Sequence, residues 1–519
     1  MSMIDEEGKT DSLKKRYFVK LLANLIGFVI SLVTQSIIPR SLGPRNYGDF
    51  SFLTNVSTQI IGFFDMGTSN GFYTKLSQRQ KESSLVSFYV SFSLVVSVMV
   101  IFLVFLSRIT SLDSILWPDQ SIFFVYLATI FAILSWFLQI AGNMGDAYGQ
   151  TVRMETARII QKFFGVVLLL ALFLYGRLDL ANLFYYYFFM TFFLIVAIAW
   201  ILKGHLFTQG WRLSRNRVRS YAKEFYQYSS PLFLYALVGL IVVFLDRWLL
   251  QVFGGGVQQG FYGLSYQIGA VCFLFTSSIV SLIMREFSIA YTNKDLTQMA
   301  YLFRRYIPLF YGIVAYFSCF IAMQSESVAY MFGGAEFHGA ALAIAVMAFY
   351  QIHQTYGMMS GAVFMASGQT ELYSKIGIIF MLIGIPISYF LIAPESKMGL
   401  NAGATGLAIK MVVVQFLGVN VHLYFNCRFL KLNFWRYMGH QVLSVFLLLV
   451  FSALASHAVD MSSIHRNSMI IRFLLSGMLY STMVLGLLYY FPLLFGLERK
   501  DISSALRSVA DNITFRSSN

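Results

Sequence analysis

Apolar blocks about twenty residues long recur along almost the whole chain. They lie near 17–38, 49–66, 85–107, 121–141, 159–176, 182–202, 229–250, 259–284, 307–324, 341–362, 372–393, 402–425, 440–459 and 469–491. A helix rising 1.5 Å per residue needs about that length to cross a hydrocarbon core. In lipid every backbone N–H and C=O must be satisfied within the segment, so a block of this kind is a helix. The chain is 57% hydrophobic and 12% charged with mean hydropathy +0.66, whereas soluble domains carry about a quarter charged residues. The expected fold is an all-α polytopic membrane protein of about fourteen transmembrane helices. A β-barrel would show alternating segments instead. The first block is too long for a signal peptide, lacks a small-residue cleavage site and reads as a span.

Lysine and arginine sort by side. With the amino terminus inside, the inner segments hold 28 of the 38, the outer loops hold 6, and Lys20, Arg247, Lys410 and Arg472 fall within spans. The positive-inside rule then places both termini in the cytoplasm. The net charge of +14 is mostly this topology. The run Arg212-Leu-Ser-Arg215-Asn-Arg217-Val-Arg219 reads as a basic linker facing anionic headgroups rather than a nucleic-acid patch. The three cysteines, Cys272, Cys319 and Cys427, make neither a disulfide framework nor a metal set and read as small apolar residues.

The linker at 203–228 separates six spans (17–202) from six more (229–425). Two added helices (440–491) and a tail at 492–519 follow. The halves echo one another. Gly149-Gln150-Thr151 and Gly368-Gln369-Thr370 precede the fifth and eleventh spans. Pro39-Arg40-Ser-Leu42-Gly43 through Tyr47-Gly48 is matched more loosely by Asp246-Arg247 through Tyr262-Gly263. The sequence pairs Tyr47-Gly48 with Tyr262-Gly263. Halves with an even number of spans keep their orientation, so a parallel repeat of two six-helix bundles is expected.

Several spans carry a polar face. Lys20, Asn24, Gly27, Ser31, Thr34 and Gln35 recur at spacings of three and four in the first, within a wedge of about 100°. Asn55 and Gln59 continue the pattern in the second span, which ends at Asp65. Pro231, Tyr235, Gly239 and Asp246 share a face of the seventh, with Arg247 turned about 100° away at helical spacing. Tyr262, Ser265, Gly269, Cys272 and Thr276 share a face of the eighth, and Tyr350, His353, Gln354, Gly357 and Gly361 a face of the tenth. Such faces line a watery cavity or hold helices together. An ionised lysine in hydrocarbon costs a few kcal/mol without water or a partner, which favours a cavity at Lys20; snorkelling is its alternative. Asp246 and Arg247 read either as structural ion pairs or as cavity residues, Lys410 as an anion contact or a packed residue, and His353 as a proton relay or a satisfied polar group. The candidate cavity set is Lys20, Asn24, Ser31, Gln35, Asn55, Gln59, Asp65, Tyr235, Asp246, Arg247, His353, Gln354 and Lys410. With lysines deep in the spans and few acids, such a cavity suits a phosphorylated or acidic-sugar ligand.

No phosphate-binding glycine loop, metal-ligand spacing or nucleophile-base arrangement stands out, and no outer loop is large. No catalytic residue, metal or cofactor is expected. A polymerase or integral glycosyltransferase would need a large outer loop or a carboxylate cluster. The pattern Pro39-Arg40-x-Leu42-Gly43-x-x-x-Tyr47-Gly48, then Asp65-x-Gly67, Asp246-Arg247 before a glycine turn, and Tyr330-Met-Phe-Gly333-Gly334 resembles the polysaccharide-transport (Wzx-type) branch of the multidrug/oligosaccharidyl-lipid/polysaccharide exporters. The resemblance implies a flippase of the bacterial or archaeal inner membrane. Its substrate would be undecaprenyl-diphosphate-linked oligosaccharide, moved by alternating access of two bundles with coupling to H+ or Na+. It also implies polysaccharide polymerase and chain-length proteins as partners. The roles it transfers fall on Arg40, Asp65 and Arg247. The alternative is a cation-coupled drug or metabolite exporter of the same superfamily.

Overall fold

The computed structural model describes residues 13–80, 82–206, 214–230, 233–271, 274–461, 468–501 and 503. Among them there are seventeen α-helices and no strand. In order they are α1 Leu13–Asp65, α2 Thr68–Gln78, α3 Ser83–Ile109, α4 Asp113–Leu116, α5 Ile122–Ala147, α6 Thr151–Leu174, α7 Leu180–Leu206, α8 Arg215–Ser229 and α9 Phe233–Val271. There follow α10 Leu274–Thr292, α11 Leu296–Met323, α12 Ser325–Gly333, α13 Ala341–Ala366, α14 Thr370–Ile392, α15 Gly403–Phe429, α16 Phe434–Met461 and α17 Met469–Tyr490. Among the described residues eleven helices are long and apolar enough to cross a membrane, so the chain is an all-α, multi-pass membrane protein.

Two helices account for the remaining blocks: α1, which is not among the eleven, carries the first two, and α9, which is, carries the seventh and the start of the eighth. α1 runs through the first two blocks and kinks between them, where Gly43 departs from helical geometry at φ 69°, ψ 172°. α9 does the same at Gly255, at φ 65°, ψ −171°. Glycine is the residue that adopts this φ without a Cβ penalty. Pro44 then opens the second arm of α1, where a missing N–H costs nothing because the first helical N–H groups have no intrahelical partner. Each of these helices therefore supplies two arms, and α10 fills the rest of the eighth block.

The repeated tripeptide is a structural repeat. Gly149 and Gly368 have φ 75° and 72°. The N–H of Gln150 donates to the Gly145 carbonyl at 2.8 Å, and that of Gln369 to Phe364 at 2.9 Å. Both form the left-handed Schellman cap that ends a helix, and Thr151 and Thr370 open the next helix at once.

The chain forms two compact units, divided between Gly260 and Phe261. In the first, α1 packs on α5 and α6, α5 on α7, and α2 on α5 and α8. Its cores are built on Phe72, Tyr89, Trp136 and Phe225, and on Phe52, Leu53, Ala128 and Phe184. In the second, α13 packs on α10, α11 and α15, α14 on α15, and α16 on α11 and α17. Its core holds Phe303, Tyr311, Val314, Ile352, Tyr356 and Tyr480. Cys319 and Cys427 are buried within this apolar packing and form no disulfide; Cys272 lies outside the described residues. Large apolar side chains such as Val95, Val98, Phe102 and Phe105 of α3 stay exposed, as a lipid-facing surface requires.

Candidate functional site

The two kinked helices meet in the first unit. A methyl group added to Gly48 would overlap the Gly256 carbonyl oxygen, and one added to Gly260 would overlap that of Pro44. A Cβ on Gly256 would come within 2.6 Å of Asp49 Oδ1. Backbone lies on backbone at this crossing, as small-residue pairs four apart allow. The pairs are Pro44 with Gly48 and Gly256 with Gly260, and their contacts are reciprocal. That corrects the register of the repeat. The kink glycines 43 and 255, Pro44 and Gly256, and Gly48 and Gly260 are each 212 positions apart. The partner of Gly48 is thus Gly260 rather than Gly263, because close approach selects for a missing side chain and not for a preceding tyrosine.

Side chains then pin the crossing. Arg247 Nη1 donates to Gln259 Oε1 at 2.9 Å, and Gln259 Nε2 donates to the Arg247 carbonyl at 2.5 Å, bridging the Gly255 kink. Both residues are buried, as is Asp246. The connection between α3 and α5 clasps both elbows. Trp248 Nε1 donates to the Ile115 carbonyl at 2.6 Å, Gln251 Nε2 to that of Pro118 at 3.2 Å, and Gln120 Nε2 to Asp49 Oδ1 at 2.7 Å.

The polar stripe of α1 lies in the first arm. Ser31 Oγ donates to the Gly27 carbonyl at 2.7 Å and Thr34 Oγ1 to that of Ser31 at 3.0 Å. Gln35 Oε1, and Asn55 Oδ1 in the second arm, are buried with no hydrogen-bond partner among the described residues. Gln59 and Tyr235 are half-buried. Lys20 and Asn24 belong to α1, but their side chains lie outside the described residues, as do Arg212, Pro231 and the side chain of Thr276.

Asp65 has a different setting. Its Oδ1 accepts from Thr68 Oγ1 (3.1 Å), Ser69 N (3.1 Å), Ser69 Oγ (2.6 Å), Tyr89 OH (3.0 Å) and Trp136 Nε1 (3.2 Å). Met66 and Gly67 take positive φ directly after it. The Asp-x-Gly signature is thus a turn, in which the carboxylate gathers the donors at the start of α2.

One group was hidden from the sequence reading. Residues 142–162 read as an inner loop, whereas α6 begins at Thr151. Glu155, Arg158 and Lys162 therefore stand on one face of a helix packed against α1. Arg158 Nη1 pairs with buried Glu155 at 2.7 Å, and the Lys162 ammonium lies directly over Gly27 of the stripe. Their spacings of three and four were the available signal, masked by counting them as loop charge.

In the second unit, His353 is buried, edge-on to Phe416 with ring centroids 5.0 Å apart. Its Nδ1 has no hydrogen-bond partner among the described residues. Gln354 accepts from Gln415 Nε2 at 2.8 Å, and Asn426 Nδ2 donates to the Ser360 hydroxyl at 2.6 Å and carbonyl at 3.0 Å. Lys410 is 3% exposed. Its chain crosses Gly384 of α14, where an added Cβ would stand 2.8 Å from Lys410 Cε. Gln259 and Gln415 carry no signal in the sequence, since one glutamine among many bears no mark of its partner.

Three likenesses bear on this arrangement. The chain is 21% identical over 437 residues to the probable low-salt glycan biosynthesis flippase Agl15 of Haloferax volcanii, covering 81% of this chain and 84% of that one. Its fold matches the lipid II flippase MurJ in an inward closed conformation, with TM-score 0.67 and 13% identity, over 92% of this chain and 99% of that one. It also matches an inward-facing multidrug resistance MATE family transporter of the MOP superfamily, with TM-score 0.60 and 18% identity, over 80% and 98%. The model of the polysaccharide biosynthesis protein family matches residues 13–285, more than half of the chain, and the chain belongs to that family.

Proposed function

We propose that this protein is a flippase that carries a polyprenyl-diphosphate-linked oligosaccharide across the cytoplasmic membrane by alternating access. The observation that carries the reading is the polar face of α1, with Lys162 of α6 set over Gly27 and Arg158, one turn earlier on α6, reaching Gly142 of α5. Buried oxygens such as Gln35 Oε1 and Asn55 Oδ1, without protein partners among the described residues, need water or a polar ligand. Two cations and one paired carboxylate on α6, which packs on α1, suit a diphosphate and sugar better than a cationic drug. In this reading the headgroup moves along the stripe while the polyprenyl tail stays in lipid. The glycine crossing closes one end of the path and separates for release. Coupling to H+ or Na+ would make the cycle directional, with buried His353 a candidate proton carrier. Both termini would be cytoplasmic, on the side holding 28 of the 38 basic residues.

The test is surface-glycan output in cells that depend on this protein, normalised to the amount in the membrane. Lys162→Ala should lower output at least about tenfold, the scale of one lost charge-assisted contact, and Lys162→Arg should keep most of it. The double variant Lys20→Ala/Lys410→Ala should also be impaired. Full output from Lys162→Ala at normal expression would remove the α6 cations from the path. Lost drug resistance with intact glycan would instead favour the exporter.

A further inference from the structure

An open cavity of about 570 Å3 lies between the α2–α3 connection and α8, lined by Arg79, Glu82, Ser83, Ser84, Arg217 and Tyr221. We propose that it holds the phosphate of an anionic membrane lipid, with Arg217 as the charged anchor. The basic residues around it differ in how their charge is used. Lys75 pairs with Glu224 at 2.6 Å, and Arg79 pairs with Glu224 and, at 3.4 Å, with Glu82. Burial alone would raise the Glu224 carboxyl, but the hydrogen bonds from Lys75 and Arg79 hold it below the ordinary carboxylate range. Glu82 is also engaged by the Tyr221 hydroxyl at 2.5 Å. Arg217, by contrast, donates to a neutral group, the Ser84 hydroxyl, at 3.0 Å. Its positive charge lies beside the Ser84 and Tyr221 hydroxyls in a cavity whose one carboxylate, Glu82, is already engaged by Arg79 and Tyr221, and a guanidinium with adjacent hydroxyls is a phosphate-binding chemistry.

The setting points to a lipid phosphate. Ser83 and Ser84 are the first residues of α3, a membrane-crossing helix, so the cavity lies at the level where apolar sequence begins. α8 is held there by Phe225, which is stacked on Phe88 and Tyr89 with centroids 5.8 and 5.5 Å apart. Tyr226 is 74% exposed and Val218 38%, while Arg215, Arg219 and Lys223 are exposed as well. Exposed aromatic and basic residues on one short helix are the mark of an interfacial helix, and lipid phosphates occupy that depth.

The test uses the full chain in nanodiscs of equal phosphatidylglycerol and phosphatidylcholine, with retained lipid counted by native mass spectrometry. The wild-type protein should retain phosphatidylglycerol preferentially. Arg217→Ala should reduce that retention about tenfold. Arg217→Lys should keep part of it, and Ser84→Ala, which leaves the charge unchanged, should weaken it. Arg215→Ala, which removes the same charge from the same helix outside the cavity, should leave it intact. Equal losses in Arg215→Ala and Arg217→Ala would reduce the effect to general surface charge and overturn the site. Displacement of the lipid by inorganic phosphate would overturn the lipid assignment in favour of a soluble anion. Retention is read without transport, so the outcome is separate from that of the flippase reading.

Discussion

The first unit joins α1 to α9 with main chain, and the second joins α13 to α15 with side chains. At the elbow crossing, Gly48, Gly256 and Gly260 leave no room for even a methyl group. Along α13 and α15, amides and hydroxyls span the gap, with Gln415 reaching Gln354 and Asn426 reaching Ser360. A seam of backbone is specific by exclusion, and every added atom is a clash. A seam of polar side chains is specific by pairing, and its contacts are individually modest in lipid. The two should therefore respond very differently to substitution.

Gly48→Leu gives the largest expected effect. It should abolish glycan output, and Gly260→Leu should do the same, whereas Gly486→Ala, with open space around it, should leave output and stability unchanged. Retained function in Gly48→Leu would mean that the crossing tolerates separation throughout the cycle. Next comes the brace across the second kink. Arg247→Ala should cost about 2–3 kcal/mol, since a buried hydrogen bond to a charged group is lost and Gln259 is stranded. A double-mutant cycle with Gln259→Ala should show clear coupling. Additive losses would place the importance of Arg247 elsewhere.

In the second unit the expected costs fall. Asn426→Ala removes two hydrogen bonds at a residue 2% exposed and should cost about 1–2 kcal/mol. Gln354→Ala removes one partly buried bond and should cost about 0.6 kcal/mol. Both are measurable by thermal unfolding in detergent or steric trapping in bilayers. A penalty for Gln354→Ala matching that of Gly48→Leu would erase the distinction between the seams.

The spans were readable because lipid imposes a length and an apolar composition that no other structure satisfies. The repeat was readable at Gly149 and Gly368 because a left-handed helix cap demands glycine locally. It was misread at Gly48, where the demand is made by Gly256 and Gly260 more than two hundred residues away. The spacing Gly256-x-x-x-Gly260 was a visible clue. Arg158 and Lys162 were obscured for a different reason. Charge near the end of a span has two explanations, topology and function, and sequence gives priority to the first. Asp65 stands out in the sequence as a cavity candidate, yet five donors converging on one oxygen could not be foreseen from a tripeptide, since Tyr89 and Trp136 come from other helices.

The crossing of the two elbows has a thermodynamic consequence of its own. Closing an ordinary helix interface freezes side-chain rotamers, at up to about 2 kcal/mol for a long residue. Gly48, Gly256 and Gly260 have no rotamers to freeze. The glycines themselves therefore add no side-chain entropy term to the crossing, and any such term comes from the side chains that clasp it, Gln120 on Asp49 and Trp248 and Gln251 on the α3–α5 connection. Under the proposed alternating access, the balance between a closed and a parted crossing would then rest on those few clasps and on what occupies the path, a condition under which a cargo could operate a closure.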